Sequence, residues 1–434
     1  MPETSLDRKP GSWPILGRIG FRVAFCYLLL YGFSSTNANL LYILPKLGAM
    51  IASWLWAAIL GPATWLAHHL FHVTGVGAHI HPTGSGDTAI NWIAIGVMLA
   101  YSLAAALIWS LFARRDEYRT AAAWLRFIIR LTLVLAMANY GFSKLFPMQM
   151  PPPSLAVLNE PVGSVSPMTL LWTLIGFNPV YEAVCGAIEV VAAILLFFRR
   201  TALAGALLTF FVMGNVLLYN LFFDVPVKIY SAHLVLFSLV IIAPELRALW
   251  GFFWRHQPSA PSAPAVPPTQ RRGVRIAIVV VEVFLILMVL ASIPGQYQSF
   301  ARTQASLHQP HPFTGEWRVQ GQAESGAVIT AGGRPMTNLI IEPNGRATLR
   351  DDNGVLWRAG VYIDDKDSSF VLYRDGQAPL AYNFQQPDPM HLILKPPAND
   401  AATGALSLER VPLPDRYPLL DGGFHLVNEW PLER

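Results

Sequence analysis

The chain has 434 residues, of which 53% are hydrophobic and only 13% are Asp, Glu, Lys or Arg, about half of the ~25% charged residues usual in soluble domains. Charge is divided unevenly, with 19 basic against 11 acidic side chains in residues 1–301 and 12 against 16 in residues 302–434. This excludes a soluble cytoplasmic enzyme and, with no basic cluster interleaved with aromatics, a nucleic-acid partner; it implies a lipid bilayer around the first region and water around the second.

A bilayer core of about 30 Å needs about 20 apolar residues in helical form. On that criterion seven spans are expected, at 15–35, 90–113, 122–147, 178–198, 201–223, 227–245 and 274–294. Arg8 and Lys9 resemble a signal-peptide start, but Arg18 and Arg22 interrupt the apolar run beyond them, so the first helix reads as uncleaved. Within the N-terminal region 1–113, residues 37–89 carry no charge between Lys46 and Asp87 and contain Pro45, Gly61, Pro62, Gly75 and Gly77. A re-entrant or interfacial helical hairpin is expected there, although a further pair of spans would preserve the same orientation. Arg8, Lys9 and Arg18, then Arg114, Arg115 and Arg119, then Arg199 and Arg200, then Arg255, Arg271, Arg272 and Arg275 fall at alternate span ends. Positive ends face the cytoplasm. The N-terminus is therefore expected inside the inner (cytoplasmic) membrane and the C-terminal region outside it, in the periplasm.

Span 122–147 carries Arg126, Arg130 and Lys144, which must snorkel or line a polar interior. Ser166-Pro167 and Asn178-Pro179 are cap-then-proline helix starts, so 168–176 reads as a short surface helix. Ser85 or Asp87 is expected to cap the span at 90. Residues 257–270 hold five prolines and no charge, a stiff cytoplasmic linker before the final span at 274–294. After Pro294 the pattern changes to short runs such as EWRVQG, TNLIIE, FVLYR and MHLILK between turn residues, with Asn344-Gly345 and Asn353-Gly354 as hairpin turns. The fold class is thus an α-helical polytopic membrane bundle plus a C-terminal all-β sandwich or barrel over 310–434. Gly315-Glu316-Trp317 in its first strand resembles the Gly-x-Trp start of lipocalins. The end around Gly422, His425 and Trp430 reads as a docking segment.

Helical spacing places Glu182, Cys185, Gly186 and Glu189 on one face, with the glycine permitting close approach of another helix. Glu189, about 15 Å from the helix start, falls near the bilayer centre and needs a partner, a proton or a wet cavity. Tyr140, Lys144 and His233 are candidate partners at similar depth. Two readings stay open. Lys144, Glu182, Asp224 and Lys228 balance in charge and fit a structural ring near one surface; alternatively Lys144, Glu189, Tyr140 and His233 bind and protonate a polar head group entering from lipid, such as a quinone. Glu282 is a second buried acid with no evident partner. Five of eleven histidines fall at His68, His69, His72, His79 and His81, and His68 with His72 has the i, i+4 spacing of metal ligands; interfacial histidines beside Trp65 are the plainer reading. Cys26 and Cys185, the only cysteines, exclude a disulfide scaffold.

Residues 122–250 then resemble the four-helix DoxX-like membrane family: Tyr140-Gly141-Phe142-Ser143-Lys144, Gly186-Ala187-Ile188-Glu189, Arg199-Arg200-Thr201 and Asp224-Val-Pro-Val-Lys228 stand in its order and spacing. The resemblance implies a DoxX-like core over 120–250 and a link to quinone-coupled redox systems, with Lys144 and Glu189 as the shared positions. Nothing matches a flavin, haem or iron-sulfur motif, so a membrane subunit supplying a quinone pocket to a redox partner protein is expected. A small-solute carrier or channel, and a non-catalytic anchor or assembly factor presenting the β domain, are the alternatives.

Overall fold

In a computed structural model of the chain, residues 13–34, 39–75, 87–258, 267, 269–308, 310–322, 330–331, 333–374, 377–397, 404–414 and 416–421 are described. The helices are α1 (Ile15–Ser34), α2 (Pro45–His69), α3 (Ala89–Phe112), α4 (Arg119–Leu145), α5 (Leu155–Leu158), α6 (Pro167–Gly176), α7 (Pro179–Phe197), α8 (Ala202–Phe222), α9 (Lys228–Ile242), α10 (Leu246–Arg255) and α11 (Arg272–His308). Eight helical stretches are long and apolar enough to cross a membrane, α9 and α10 counting as one. The protein is a multi-pass membrane protein. It divides into two compact units, Met1–Phe146 with Ala183–Pro294 and Pro147–Glu182 with Gly295–Arg434.

The first unit is the helical bundle. Its centre is α4, whose apolar window is 72% buried while no other span exceeds 44%. That is why α4 tolerates buried charge: its flanks meet protein and not lipid. The N-terminus of α1 meets the link between α3 and α4, where Trp13 N donates to Asp116 O at 3.0 Å and Arg18 pairs with Asp116 at 2.8 Å. Buried Arg22 is satisfied by the Tyr118 hydroxyl and by Ser110 Oγ at 2.6 Å. Residues 37–89 differ from the expected hairpin: α2 is a single 25-residue helix running through Gly61 and Pro62, long and apolar enough to cross. Trp13 and Arg22 near the start of α1 meet Asp116 and Ser110 at and beyond the end of α3, so these two helices run antiparallel. Asp87 does not cap its own helix; its carboxylate accepts from Lys228 N at 2.5 Å and Ile229 N at 3.0 Å, closing the start of α9. Ser85 lies outside the described residues, as do most of the proline-rich linker and the segment from Gly422 onward.

The second unit is built on an eight-stranded antiparallel barrel. Strands β1 (Gly315–Gln322), β2 (Thr330–Ala331), β3 (Arg334–Ile341), β4 (Arg346–Asp351), β5 (Leu356–Asp364), β6 (Ser369–Arg374), β7 (Leu380–Asp388), β8 (His391–Lys395) and β9 (Leu406–Arg410) are described. From β3 to β9 they form a meander, and β1 pairs with both β9 and β3 to close the ring, with two-residue β2 added beside β3. Closure removes the exposed edges that a sandwich would leave. Inward residues alternate along the strands, and Trp317, Leu339, Phe370, Leu392 and Leu408 are fully buried. Trp317 of the Gly-x-Trp start is held by its indole N–H on Phe313 O at 2.7 Å and by the Arg410 guanidinium 4.7 Å above its ring. Both Asn-Gly turns form as expected, with Gly345 and Gly354 at φ +75° and +82°.

The loop between α4 and α7 belongs to this unit. Ser166 Oγ and Asn178 Oδ1 cap α6 and α7 as their sequences require. The Glu342 carboxylate accepts from Leu155 N and Ala156 N at the start of α5, at 3.2 and 3.3 Å. Glu316, also buried, accepts from Asn338 at 2.8 Å, Arg350 at 2.9 Å and Asn159, and the Tyr417 hydroxyl donates to Asn159 Oδ1 at 2.8 Å. Burial raises the Glu342 pKa above its ordinary 4.5, against the pull of the two N–H donors. A raised carboxyl pKa stabilises the fold at acid pH, and that contribution is lost as pH rises through the folded value. The barrel of the full-length protein should therefore resist unfolding better at about pH 5 than at about pH 7, and Glu342→Gln should flatten that dependence. Thiol labelling of an Ala347→Cys probe in urea reads this; the same pH slope in Glu342→Gln would contradict it.

Candidate functional site

Lys144 and Glu189 form an ion pair between α4 and α7, with Nζ 2.5 Å from Oε1 and both residues buried. The reason they meet is the glycine stripe. A Cβ on Gly186 would lie 2.3 Å from Leu145 N, and one on Gly141 would lie 2.8 Å from Val190 N, so the two backbones touch here. Glu189 is consequently level with the last turn of α4. The start of α7 extends past the end of α4, so Glu189, ten residues into its own helix, meets Lys144 in the last turn of its neighbour. Tyr140 stacks beside the pair, its ring 5.5 Å from Lys144 Nζ, and its other side meets Tyr230 of α9 at 5.9 Å between ring centroids. Glu189 Oε2 and the Tyr230 hydroxyl are buried and accept or donate no hydrogen bond among the described residues.

His233 stands apart from this set. Its ring stacks on Tyr31 of α1 at 3.5 Å, its Nδ1 is 2.7 Å from Ile229 O, and its Nε2 is 2.8 Å from the Tyr27 hydroxyl. A carbonyl only accepts, so Nδ1 carries a hydrogen, and Nε2 shares a hydrogen bond with the Tyr27 hydroxyl. The four-residue cluster is thus a trio, Lys144, Glu189 and Tyr140, with His233 serving the α1–α9 contact.

The structural charge ring also separates. Glu182 accepts from Gln149 N and Met150 N at 3.1 and 2.9 Å within the second unit, while Lys228 pairs with Asp224 at 3.0 Å on its own turn. Sequence reasoning misses a second buried cluster in the bundle. Glu282 of α11 bridges Arg130 at 2.5 Å and Arg199 at 2.6 Å, and Arg130 Nη1 also donates to the carbonyls of Leu196 and Phe197 at the end of α7.

The metal candidates do not converge. α2 ends at His69, so His72 leaves the helix with φ +50° and the i, i+4 pairing with His68 is not formed; both are exposed. His69 stacks on Trp65 instead. His79 and His81 lie outside the described residues, and no group of three metal-ligating side chains exists among the described ones.

Two adjoining clefts open beside α4. One, of about 230 Å³, is lined by Asn39, Tyr42, Asn139 and Ser292 with Leu135, Ala138, Phe142, Met288 and Val289. The other, of about 160 Å³, is wholly apolar and lies between α4, α7 and α11, sharing Ala138, Phe142 and Val289 with the first. Neither is lined by Lys144 or Glu189. Asn139 is an exposed amide on the central membrane helix, and its side chain makes no hydrogen bond among the described residues.

No family model matches the chain, and no solved structure matches it. Over 90 residues it is 36% identical to YwoB, an uncharacterised protein of Bacillus subtilis (strain 168); the matched stretch is 21% of this chain and 58% of that protein. The chain thus spans a little over half the length of the curated relative it matches.

Proposed function

We propose that this protein is a membrane subunit, DoxX-like over residues 122–250, that binds a quinone or a similar amphipathic ligand beside α4 and hands its redox chemistry to a partner protein. The observation that carries the reading is the pair of adjoining clefts. A quinone needs polar contacts for its carbonyls and an apolar path for its tail. Asn139 and Tyr42 would supply the first, and the slot between α4, α7 and α11 the second. Together the clefts reach the lower range of small-ligand sites, about 300–1,000 Å³. In this reading Lys144–Glu189 fixes the α4–α7 contact that forms the slot, and touches no ligand. The sidedness that fits the basic span ends puts the N-terminus in the cytoplasm and the β domain in the periplasm, and a reporter fused after Arg434 that is active only in the cytoplasm would overturn it.

The pairing of Lys144 with Glu189, away from both clefts, disfavours a carrier whose charges face a solute path. Fastening of the α4–α7 loop onto the barrel favours a second role in presenting that domain. The ligand is tested by extracting quinone from the gently purified protein. Asn139→Leu and Tyr42→Phe, each removing one hydrogen bond to a dry site, should lower retention about tenfold; retention equal to wild type in both would sink the assignment.

A further inference from the structure

The turn joining α7 to α8 forms a third cleft, of about 540 Å³, lined by Leu195, Phe197, Phe198, Arg199, Arg200, Thr201 and Glu282. It shares Phe197 and Phe198 with the apolar slot but none of the polar groups of the ligand site proposed above. Its charges do not balance. Arg130 and Arg199 both lean on the single carboxylate of Glu282, and Arg200, exposed beside them, makes no ion pair or hydrogen bond among the described residues. The turn therefore carries more cationic than anionic charge, and Arg200 is open to an anion from outside the chain.

An apolar strip leads away from this turn. Val191, Ile188 and Val184 are 47%, 41% and 52% exposed and fall on one face of α7, rising from the arginines past Leu195, and none of them lines the slot given to the quinone tail. Cations at the mouth and a greasy strip above them match a molecule with an anionic head and long chains. We infer that the Arg199–Arg200 turn binds the phosphate of an acidic phospholipid, whose acyl chain lies along α7. A guanidinium presents paired N–H donors to phosphate oxygens, and Arg199 keeps donors beyond the one given to Glu282. A zwitterionic lipid carries its own cation and neutralises less of the surplus. Basic pockets between membrane helices recognise acidic head groups by this means.

The test is native mass spectrometry of the full-length protein, given phosphatidylglycerol or phosphatidylcholine in equal amounts. Wild type should retain phosphatidylglycerol in preference. Arg200→Gln, which removes a side chain with no internal role, should lower that retention about tenfold, the loss of one charge-assisted hydrogen-bonding group. Arg255→Gln, the same charge change at the end of α10, should leave it unaltered. Arg199→Lys, which keeps the charge but not the paired donors, should be intermediate. Equal retention of both lipids, undiminished retention in Arg200→Gln, an equal loss in Arg255→Gln, or displacement of the lipid by inorganic phosphate alone would each overturn the inference.

Discussion

Replacing Lys144 by methionine should cost the protein a large part of its stability. Glu189 is 2% exposed and its Oε1 has Lys144 Nζ as its partner, so removing the cation leaves a buried carboxylate alone. Breaking a buried pair from one side costs about 3–5 kcal/mol, against a total stability of about 5–15 kcal/mol for a typical domain. The double variant Lys144→Met with Glu189→Leu removes both charges and should recover most of the loss, because two apolar side chains of similar size replace an ion pair nearly without penalty. Thermal unfolding of the detergent-purified variants decides. A single variant as stable as wild type but altered in ligand content would move this pair from the frame of the bundle into its binding site.

Gly186 should be nearly as sensitive. The Cβ of alanine there would overlap the backbone of Leu145, Gly141 and Lys144 at 2.3, 2.6 and 2.8 Å, and backbone cannot swing aside as a side chain does. Gly186→Ala should therefore destabilise by ~1–3 kcal/mol or more through forced separation of α4 and α7. Gly214→Ala on α8 meets nothing within 4 Å and should be neutral or stabilising by up to ~1 kcal/mol, since alanine is the better helix former. The same thermal measurement separates the two; equal behaviour would mean that the close contact of α4 and α7 is not what holds them.

The residues that declare themselves in the sequence do so through periodicity. Spacing of 3.6 puts Glu182, Gly186 and Glu189 on one face, and that face is the buried one. The period of two in the C-terminal runs, with Asn-Gly turns, becomes the barrel. Sandwich and barrel are not separable in sequence because closure rests on β1 pairing with β3 and β9, a contact between distant segments with no local signature. Partnership is harder still. Arg130 is eleven residues into α4 and Glu282 ten into α11, and both helices start at the basic end, so each lies about 15 Å deep. Matching by depth pairs them. Lys144 and Glu189 pair by charge type, although their depths, counted from helix ends, disagree because α7 overshoots α4. The histidines mislead for a simpler reason: the helix stops at His69, and spacing carries meaning only while the helix lasts.

The ligand site is tested most directly by photolabelling. A quinone analogue with a photoreactive ring, applied to the full-length protein in lipid nanodiscs, should mark peptides around Asn139 of α4 and Met288–Ser292 of α11, and excess unlabelled quinone should protect them. Labelling spread over the lipid-facing sides of α3 and α8, unprotected by quinone, would contradict a ligand site beside α4 and leave the bundle as a scaffold for the barrel.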